Sequence, residues 1–243
     1  MLTFNRSGEL LQINATNHEG RILFTTDLHG CYDLLHEHLK AVAFDSTKDI
    51  LIIGGDLCDR GPDSQYVLDY LNEPWVYSIR GNHEQLLIDA YEEDFCGPST
   101  NCLLGNGGIW IANISDDLMK AIYESFKSLP LAIELLTPSE KIGIIHAQVP
   151  RGCWNQFKAM SAQELEWEGY SQAQWARTKY DKINKGVISG IDFVLCGHTP
   201  TKSGEIEQLG NQLFCDLGSF FRDKISFVEV YPNFIGQKAN GVS

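Results

Sequence analysis

Residues 50–62 read Ile50-Leu51-Ile52-Ile53-Gly54-Gly55-Asp56-Leu57-Cys58-Asp59-Arg60-Gly61-Pro62. An unbroken apolar row dominated by β-branched residues suits a strand buried on both faces. The glycines that follow allow a tight turn, and charged residues stand directly after it. The same order occurs at Ile22–Thr26 before Asp27-Leu28-His29-Gly30, and at Trp75–Ile79 before Arg80-Gly81-Asn82-His83. Tyr32–Val42, Ser64–Leu71 and Glu84–Tyr91 then carry apolar residues at spacings of three and four, the period of an amphipathic crossover helix. Strand, loop and helix in three successive rounds predict an α/β fold with parallel strands. Its polar loops gather at the carboxyl ends of the strands, where open α/β sheets bind ligands.

The rest of the chain fits one domain, residues 1–243. The stretch from Glu93 to Leu129, with Gly105-Asn106-Gly107-Gly108 and a helix expected around Asp116–Ser128, is expected as a helical insert or cap. Leu131–Leu136 and Lys141–Ile145 read as a strand pair around a Thr-Pro-Ser turn, the second delivering His146. Gln163–Lys182 is expected to be helical, Phe193–Leu195 leads into Gly197-His198, and short β-rich segments at Gln212–Cys215 and Ile225–Val230 suggest a second sheet.

A chain of 243 residues with 43% apolar content can bury a substantial core. A formal charge of −13 argues against a broad grip on nucleic acid or an anionic membrane, since both are polyanions met by Lys and Arg. An anionic ligand must be drawn in locally, and bound cations would do this. The seven cysteines include no Cys-x-x-Cys pair, so neither a disulfide framework nor a thiolate zinc site is expected. With no signal-peptide pattern and no long apolar run, the expectation is a soluble, cytoplasmic protein.

Five segments carry chemistry: Asp27-x-His29-Gly30, Gly55-Asp56-x-x-Asp59-Arg60-Gly61-Pro62, Arg80-Gly81-Asn82-His83-Glu84, His146-Ala147 and Gly197-His198. They supply carboxylate, amide and imidazole donors suited to borderline-to-hard divalent ions, plus a further histidine and two arginines. Phosphate-ester hydrolysis calls for this mixture. A pair of cations lowers the pKa of a water and neutralises phosphoryl charge, and one carboxylate can bridge both. An imidazole steered by a carboxylate can protonate the leaving oxygen, and guanidinium groups hold phosphate oxygens in bidentate fashion.

In order and spacing these segments resemble the motif set of the calcineurin-like metallophosphoesterases, most closely the phosphoprotein phosphatase branch. Leu28-His29-Gly30-Cys31-Tyr32, Arg80-Gly81-Asn82-His83-Glu84-Gln85 and Asn106-Gly107-Gly108-Ile109-Trp110 are similar to the small phage and bacterial serine/threonine phosphatases of the bacteriophage lambda type. The resemblance runs from about Arg21 to Val230. It implies a single-domain fold of two mixed β-sheets flanked by helices, with the active site at strand C-terminal ends. It also implies two divalent cations, usually Mn2+ with Fe, Zn or Mg as alternatives, and hydrolysis of phosphoserine and phosphothreonine in proteins or peptides, extending to phosphotyrosine or phosphohistidine. By the same resemblance Asp27 and His29 hold the first metal, Asp56 bridges, and Asn82, His146 and His198 complete the second site. His83 is then the general acid, Asp59 its orienting partner, and Arg60, Arg80 and Arg177 (in Trp175-Ala176-Arg177) hold phosphate. Gln148 departs from the acidic residue or glycine usual after His-Ala in these enzymes.

Each motif alone is weak, since Asp-x-His and Gly-Asp pairs are common in turns. Their ordered combination after strand-like runs reverses that balance. The bland readings make His83 a helix cap, Arg60 a surface partner of Asp63, and Arg177 a helix-surface charge. His36, His38 and His18 are read as non-ligands, and Cys58 and Cys196 as small buried hydrophobes. The competing function is a dinucleoside polyphosphate (diadenosine tetraphosphate) hydrolase with the same metal centre, disfavoured by Asp59 and Glu84. A non-catalytic metal-binding module is the third.

Overall fold

The computed structural model describes residues 2–177 and 186–232. Two strands, β1 (Thr3–Ser7) and β2 (Leu10–Asn14), precede the three anticipated ones, β3 (Ile22–Thr25), β4 (Ile50–Ile53) and β5 (Val76–Ser78). The three form the parallel part of a four-stranded sheet in the order β11-β3-β4-β5, with β11 (Val228–Tyr231) antiparallel at its edge. After β3 comes helix α1 (Tyr32–Ala41). A 3-10 turn, Ser64–Tyr66, runs into α2 (Val67–Leu71) after β4, and α3 (Asn82–Glu92) follows β5.

The chain then makes α4 (Pro98–Gly105), a 3-10 segment Gly108–Asn113, and α5 (Asp116–Ser128). Ser115 caps α5 by accepting from Leu118 N at 3.2 Å, with acidic residues in the first turn and Lys127 in the last, as the helix dipole favours. Strands β6 (Ala132–Leu136), β7 (Lys141–Ile145), β8 (Phe193–Cys196), β9 (Glu207–Leu209) and β10 (Gln212–Phe214) complete a seven-stranded mixed sheet in the order β1-β2-β6-β7-β8-β10-β9.

Alternate residues of the buried strands enter different cores, and this defines the layers. Leu23, Leu51 and Ile53 face a core shared with Leu35 of α1, Leu87 of α3 and Ile122 and Phe126 of α5. Phe24, Ile50 and Ile52 face the other way, onto Ile133, Leu135, Ile142, Ile144, Leu195 and Leu213 of the large sheet. The far side of that sheet, through Ala132, Ile145, Val194 and Phe214, packs on Trp154 and Phe157. The order is therefore helices, small sheet, large sheet, helices, with two sheets back to back.

Two expectations need correction. Residues 163–177 do not continue as an α-helix: Ala162–Glu164 is α-helical, Leu165–Gly169 and Ser171–Trp175 are π-type, and Ala176 is extended. Residues 178–182 lie outside the described residues. Tertiary hydrogen bonds draw this segment inward: Ala147 N donates to Ala173 O at 2.7 Å, and the Gln174 amide donates to Arg80 O and Gly81 O at 3.3 and 3.1 Å. The N-terminal hairpin was not anticipated, because every residue of β1 is exposed and its pattern carries no apolar alternation.

Phe24 is fully buried between the sheets. Phe24→Ala is expected to cost about 3–5 kcal/mol in urea-induced unfolding. A loss under about 1 kcal/mol would contradict the inter-sheet packing described.

Candidate metal centre

Asp27 and His29 follow β3, Asp56, Asp59 and Arg60 follow β4, and Asn82 and His83 open α3 after β5. His146 follows β7 and His198 follows β8. Five strand ends from both sheets thus converge on one rim. At this rim the backbone is left-handed at Asp27 (φ 52°), His29 (47°), Asp56 (53°), Asp59 (71°), Arg60 (72°) and His198 (67°), all of them L-residues with side chains. Such conformations cost of order 1–3 kcal/mol each and persist only where the surroundings over-determine them.

Glu84 supplies much of that determination. Its fully buried carboxylate accepts Asp56 N and Gly81 N through one oxygen at 2.9 and 2.8 Å, and Leu57 N through the other at 2.7 Å. The loops after β4 and β5 are thereby tied together. Burial pushes the Glu84 carboxyl up to about 7, against N–H donors that favour its charged form. Gly81 has no room for a side chain, since a Cβ there would meet Asp56 Oδ1 at 2.3 Å.

Around Asp56 the donors divide into two groups. Oδ2 lies 3.7 Å from His29 Nε2 and 3.8 Å from His83 Nε2, whereas Oδ1 lies 3.3 Å from His146 Nε2. Two clusters, His29-Asp56-His83 and Asp56-His146-His198, each have donor atoms within 4.8 Å of one another. The Asn82 side-chain oxygen joins the second, 3.0 Å from His146 Nε2 and 2.9 Å from His198 Nδ1. Asp27 is in neither cluster. Its buried carboxylate accepts His198 N at 2.9 and 3.0 Å and Thr26 Oγ1 at 2.6 Å, close enough to Asp56 and His146 for their charges to act on it.

Carbonyl groups fix the ring tautomers. His29 Nδ1 donates to Cys58 O at 3.1 Å, His146 Nδ1 to Gly54 O at 2.8 Å, and His198 Nε2 to Trp175 O at 3.1 Å. Each ring therefore turns its other nitrogen inward. For His198, whose imidazole burial holds neutral with a pKa lowered to about 3, the inward Nδ1 lone pair faces the Asn82 oxygen, acceptor against acceptor. A cation resolves such a contact, and with two buried carboxylates and oxygen and nitrogen donors alone the residues present fit divalent metals.

His83 does not cap α3, whose N-cap is Gly81. Its Nδ1 donates to Asp59 Oδ2 at 2.7 Å, and Trp110 Nε1 donates to Asp59 Oδ1 at 2.6 Å, while Ser64 Oγ accepts Asp59 N at 2.8 Å. The opposite nitrogen, Nε2, is buried without a hydrogen-bond partner among the described residues. Burial alone would lower the imidazole, yet Asp56 and Asp59 outweigh it and raise its pKa above the usual value.

Arg60 does not pair with Asp63. Its Nη1 approaches His29 Nε2 at 2.8 Å and its guanidinium lies 5.0 Å over the Phe220 ring. Arg80 is buried and bonded to Glu9, at 3.1 Å. Arg177 is exposed beyond Trp175, and its charge still reaches His198. Gln148 is half-buried, with its N–H on Gln172 O at 3.2 Å. Sequence reading assigned no part to Ser64, Glu9, Gln174 or Phe220. Gly81-x-x-Glu84 is a capping-box spacing that could have marked Glu84 as a brace.

A family model described as calcineurin-like phosphoesterase matches residues 20–222. The chain belongs to this family. Its members are hydrolases with a dinuclear metal site, and its α/β fold of two mixed sheets flanked by helices is the one found here. The chain is 31% identical to serine/threonine-protein phosphatase 2 of Escherichia coli (strain K12) over 228 residues, covering 90% of this chain and 96% of that protein. It is also 32% identical to the symmetrical bis(5'-nucleosyl)-tetraphosphatase of Buchnera aphidicola subsp. Acyrthosiphon pisum (strain Tuc7). That match spans 115 residues, 46% of this chain and 35% of the other. The fold is shared with a serine/threonine phosphatase structure from Saccharomyces cerevisiae, at a TM-score of 0.59 and 17% identity, over 86% of this chain and 70% of that one. Among the described residues no helix is long and apolar enough to cross a membrane.

A cation taken by His146 Nε2 would compete there with a proton. Burial would lower this imidazole, but Asp56 pushes it up to about 10, so loading the site at pH 7 must expel a proton. Raising the pH from 7 to 8 is expected to tighten Mn2+ binding up to about tenfold per proton displaced. Calorimetry in buffers of different ionisation enthalpy reads the proton release directly. Affinity that does not change with pH would contradict a His146 ligand.

Proposed function

We propose that this chain is a metal-dependent phosphoprotein phosphatase acting on phosphoserine and phosphothreonine, and on phosphotyrosine or phosphohistidine where the pocket admits them. His29 and Asp56, with Asp27, hold one divalent cation, and Asp56, Asn82, His146 and His198 hold the other, Mn2+ by family resemblance, with Fe, Zn or Mg as alternatives. When bound, the cations supply an activated water and neutralise phosphoryl charge. The protein's own groups supply the rest. Arg60, Arg80 and Arg177 bind and orient the phosphate, and His83 Nε2 carries the proton that the leaving alkoxide needs.

The observation that carries this reading is the buried Asp59–His83 pair. Asp59 and Trp110 fix the ring, Asp56 and Asp59 raise its pKa above the usual value, and Nε2 meets no acceptor within hydrogen-bond distance among the described residues. Such an arrangement suits a poor leaving group such as a serine or threonine alkoxide, which departs only with a proton. The protein-phosphatase relative, matched across 96% of its length, supports this reading over the tetraphosphatase, matched across 35%. Hydrolysis of diadenosine tetraphosphate is the alternative, and the net charge of −13 weighs against a substrate of several phosphates.

Metal-loaded protein is expected to turn over phosphoseryl and phosphothreonyl peptides faster than diadenosine tetraphosphate. Turnover confined to the dinucleotide would replace the proposal by its alternative.

His83→Asn is expected to retain bound metal and to lower turnover of phosphoseryl peptide by roughly 10²–10⁴-fold, with a smaller loss on p-nitrophenyl phosphate. Because His83 acts in its protonated form, activity declines as pH rises through its raised pKa. Asp59→Asn removes one cause of that rise, so the alkaline limb of the profile moves to lower pH. An unmoved limb, or equal losses on the two substrates, would remove His83 from the proton transfer.

A further inference from the structure

Arg80 carries a guanidinium deep in the protein, its side chain only 7% exposed. A cation taken this far out of water requires a counter-charge. Its partner is Glu9, 71 residues away, in the turn between β1 and β2, with Arg80 Nη2 donating to Glu9 Oε2 at 3.1 Å. Tyr170 completes the cluster. Its hydroxyl donates to the other Glu9 oxygen at 3.1 Å, and its ring lies 5.6 Å from the Arg80 guanidinium carbon.

One short segment holds both backbones in register. Glu9 O accepts Leu131 N at 2.8 Å and Ala132 N at 3.2 Å, while Arg80 N donates to Pro130 O at 2.8 Å. Gln174 fastens the Arg80 carbonyl from the other side. The guanidinium is therefore gripped at Nη2, whereas Nε is buried and has no partner among the described residues. An unpartnered buried N–H is costly unless something occupies it.

We infer that Glu9 is a positioning residue for phosphate binding: with Tyr170 it holds Arg80 so that the ungripped edge of the guanidinium is presented to the substrate's phosphoryl oxygens. The N-terminal hairpin is thus part of the site's machinery. The inference rests on Arg80 meeting phosphate, as in the proposed function. A gripped arginine loses less rotamer freedom when it binds, so the grip appears as phosphate affinity.

The test uses the full chain loaded with Mn2+, with p-nitrophenyl phosphate as reporter and inorganic phosphate as competing ligand. Glu9→Ala is expected to raise the inhibition constant of phosphate about fivefold to tenfold, metal content unchanged, from loss of a charge-assisted hydrogen bond. Glu9→Gln keeps one acceptor oxygen for Arg80 and turns its NH2 to the Tyr170 hydroxyl, which can accept, and is expected to recover part of that loss. In an Arg80→Ala background, Glu9→Ala should add less than about a factor of two, because Glu9 acts only through Arg80. Equal losses in both backgrounds, or an unchanged constant for Glu9→Ala, would overturn the positioning role. If Glu9→Ala does not fold, Tyr170→Phe takes its place, with an expected rise of about twofold to threefold that vanishes without Arg80; no rise, or a rise that survives without Arg80, overturns the inference. Should Arg80→Ala itself leave phosphate binding intact, the fault lies with the phosphate role given to Arg80, and the inference goes with it.

Discussion

One buried carboxylate, that of Glu84, holds the rim of this protein in shape. Three backbone N–H groups from two loops end on it, and those loops present Asp56, Asn82 and His83. The left-handed backbone at Asp56 is unfavourable by itself. It is held because a charge-assisted hydrogen bond on its own N–H and another on Leu57 leave the loop few alternatives. Once Asp56 is fixed, its two oxygens face different imidazoles, and the division of the centre into two groups follows. Without this brace the two loops would be free to relax toward ordinary dihedrals.

The electrostatics of the rim run against those of the whole chain. A net charge of −13 repels phosphate at a distance, so capture depends on cations at close range. Arg60 is held near His29 and over the Phe220 ring, and Arg80 is paired with Glu9. Each arginine is thereby kept in place by its neighbours.

Much of this was legible in the sequence, for a definite reason. Ile50–Ile53 and Ile22–Thr25 are buried on both faces, so they appear as unbroken apolar runs, and the strand-turn-charge order locates every rim residue that follows them. His146 and His198 are marked in the same way by β7 and β8. What could not be read is what depends on distance. Glu9 meets Arg80 across 71 residues and Trp110 meets Asp59 across 51, and neither local pattern hints at a partner. Strand β1 went unseen because nothing buries it. The segment before Trp175 has helical composition, but its hydrogen bonds to the loop after β7 and to the start of α3 widen it to π-type turns, a tertiary override of local propensity.

The two halves of the centre depend on the fold in different ways. His29, Asp56 and His83 all follow strands of the small sheet, so that cluster is assembled by one sheet and the Glu84 brace. The other takes Asp56 and Asn82 from the small sheet but His146 and His198 from the large one. Its closure therefore requires the sheets to be packed on each other through Phe24, Ile52, Ile144 and Leu195. A cation bound there would bind the packed state alone and stabilise it by mass action. Loosening the inter-sheet core should accordingly open the second group while the first keeps its geometry, which makes sheet packing itself a determinant of whether the centre holds two metals or one.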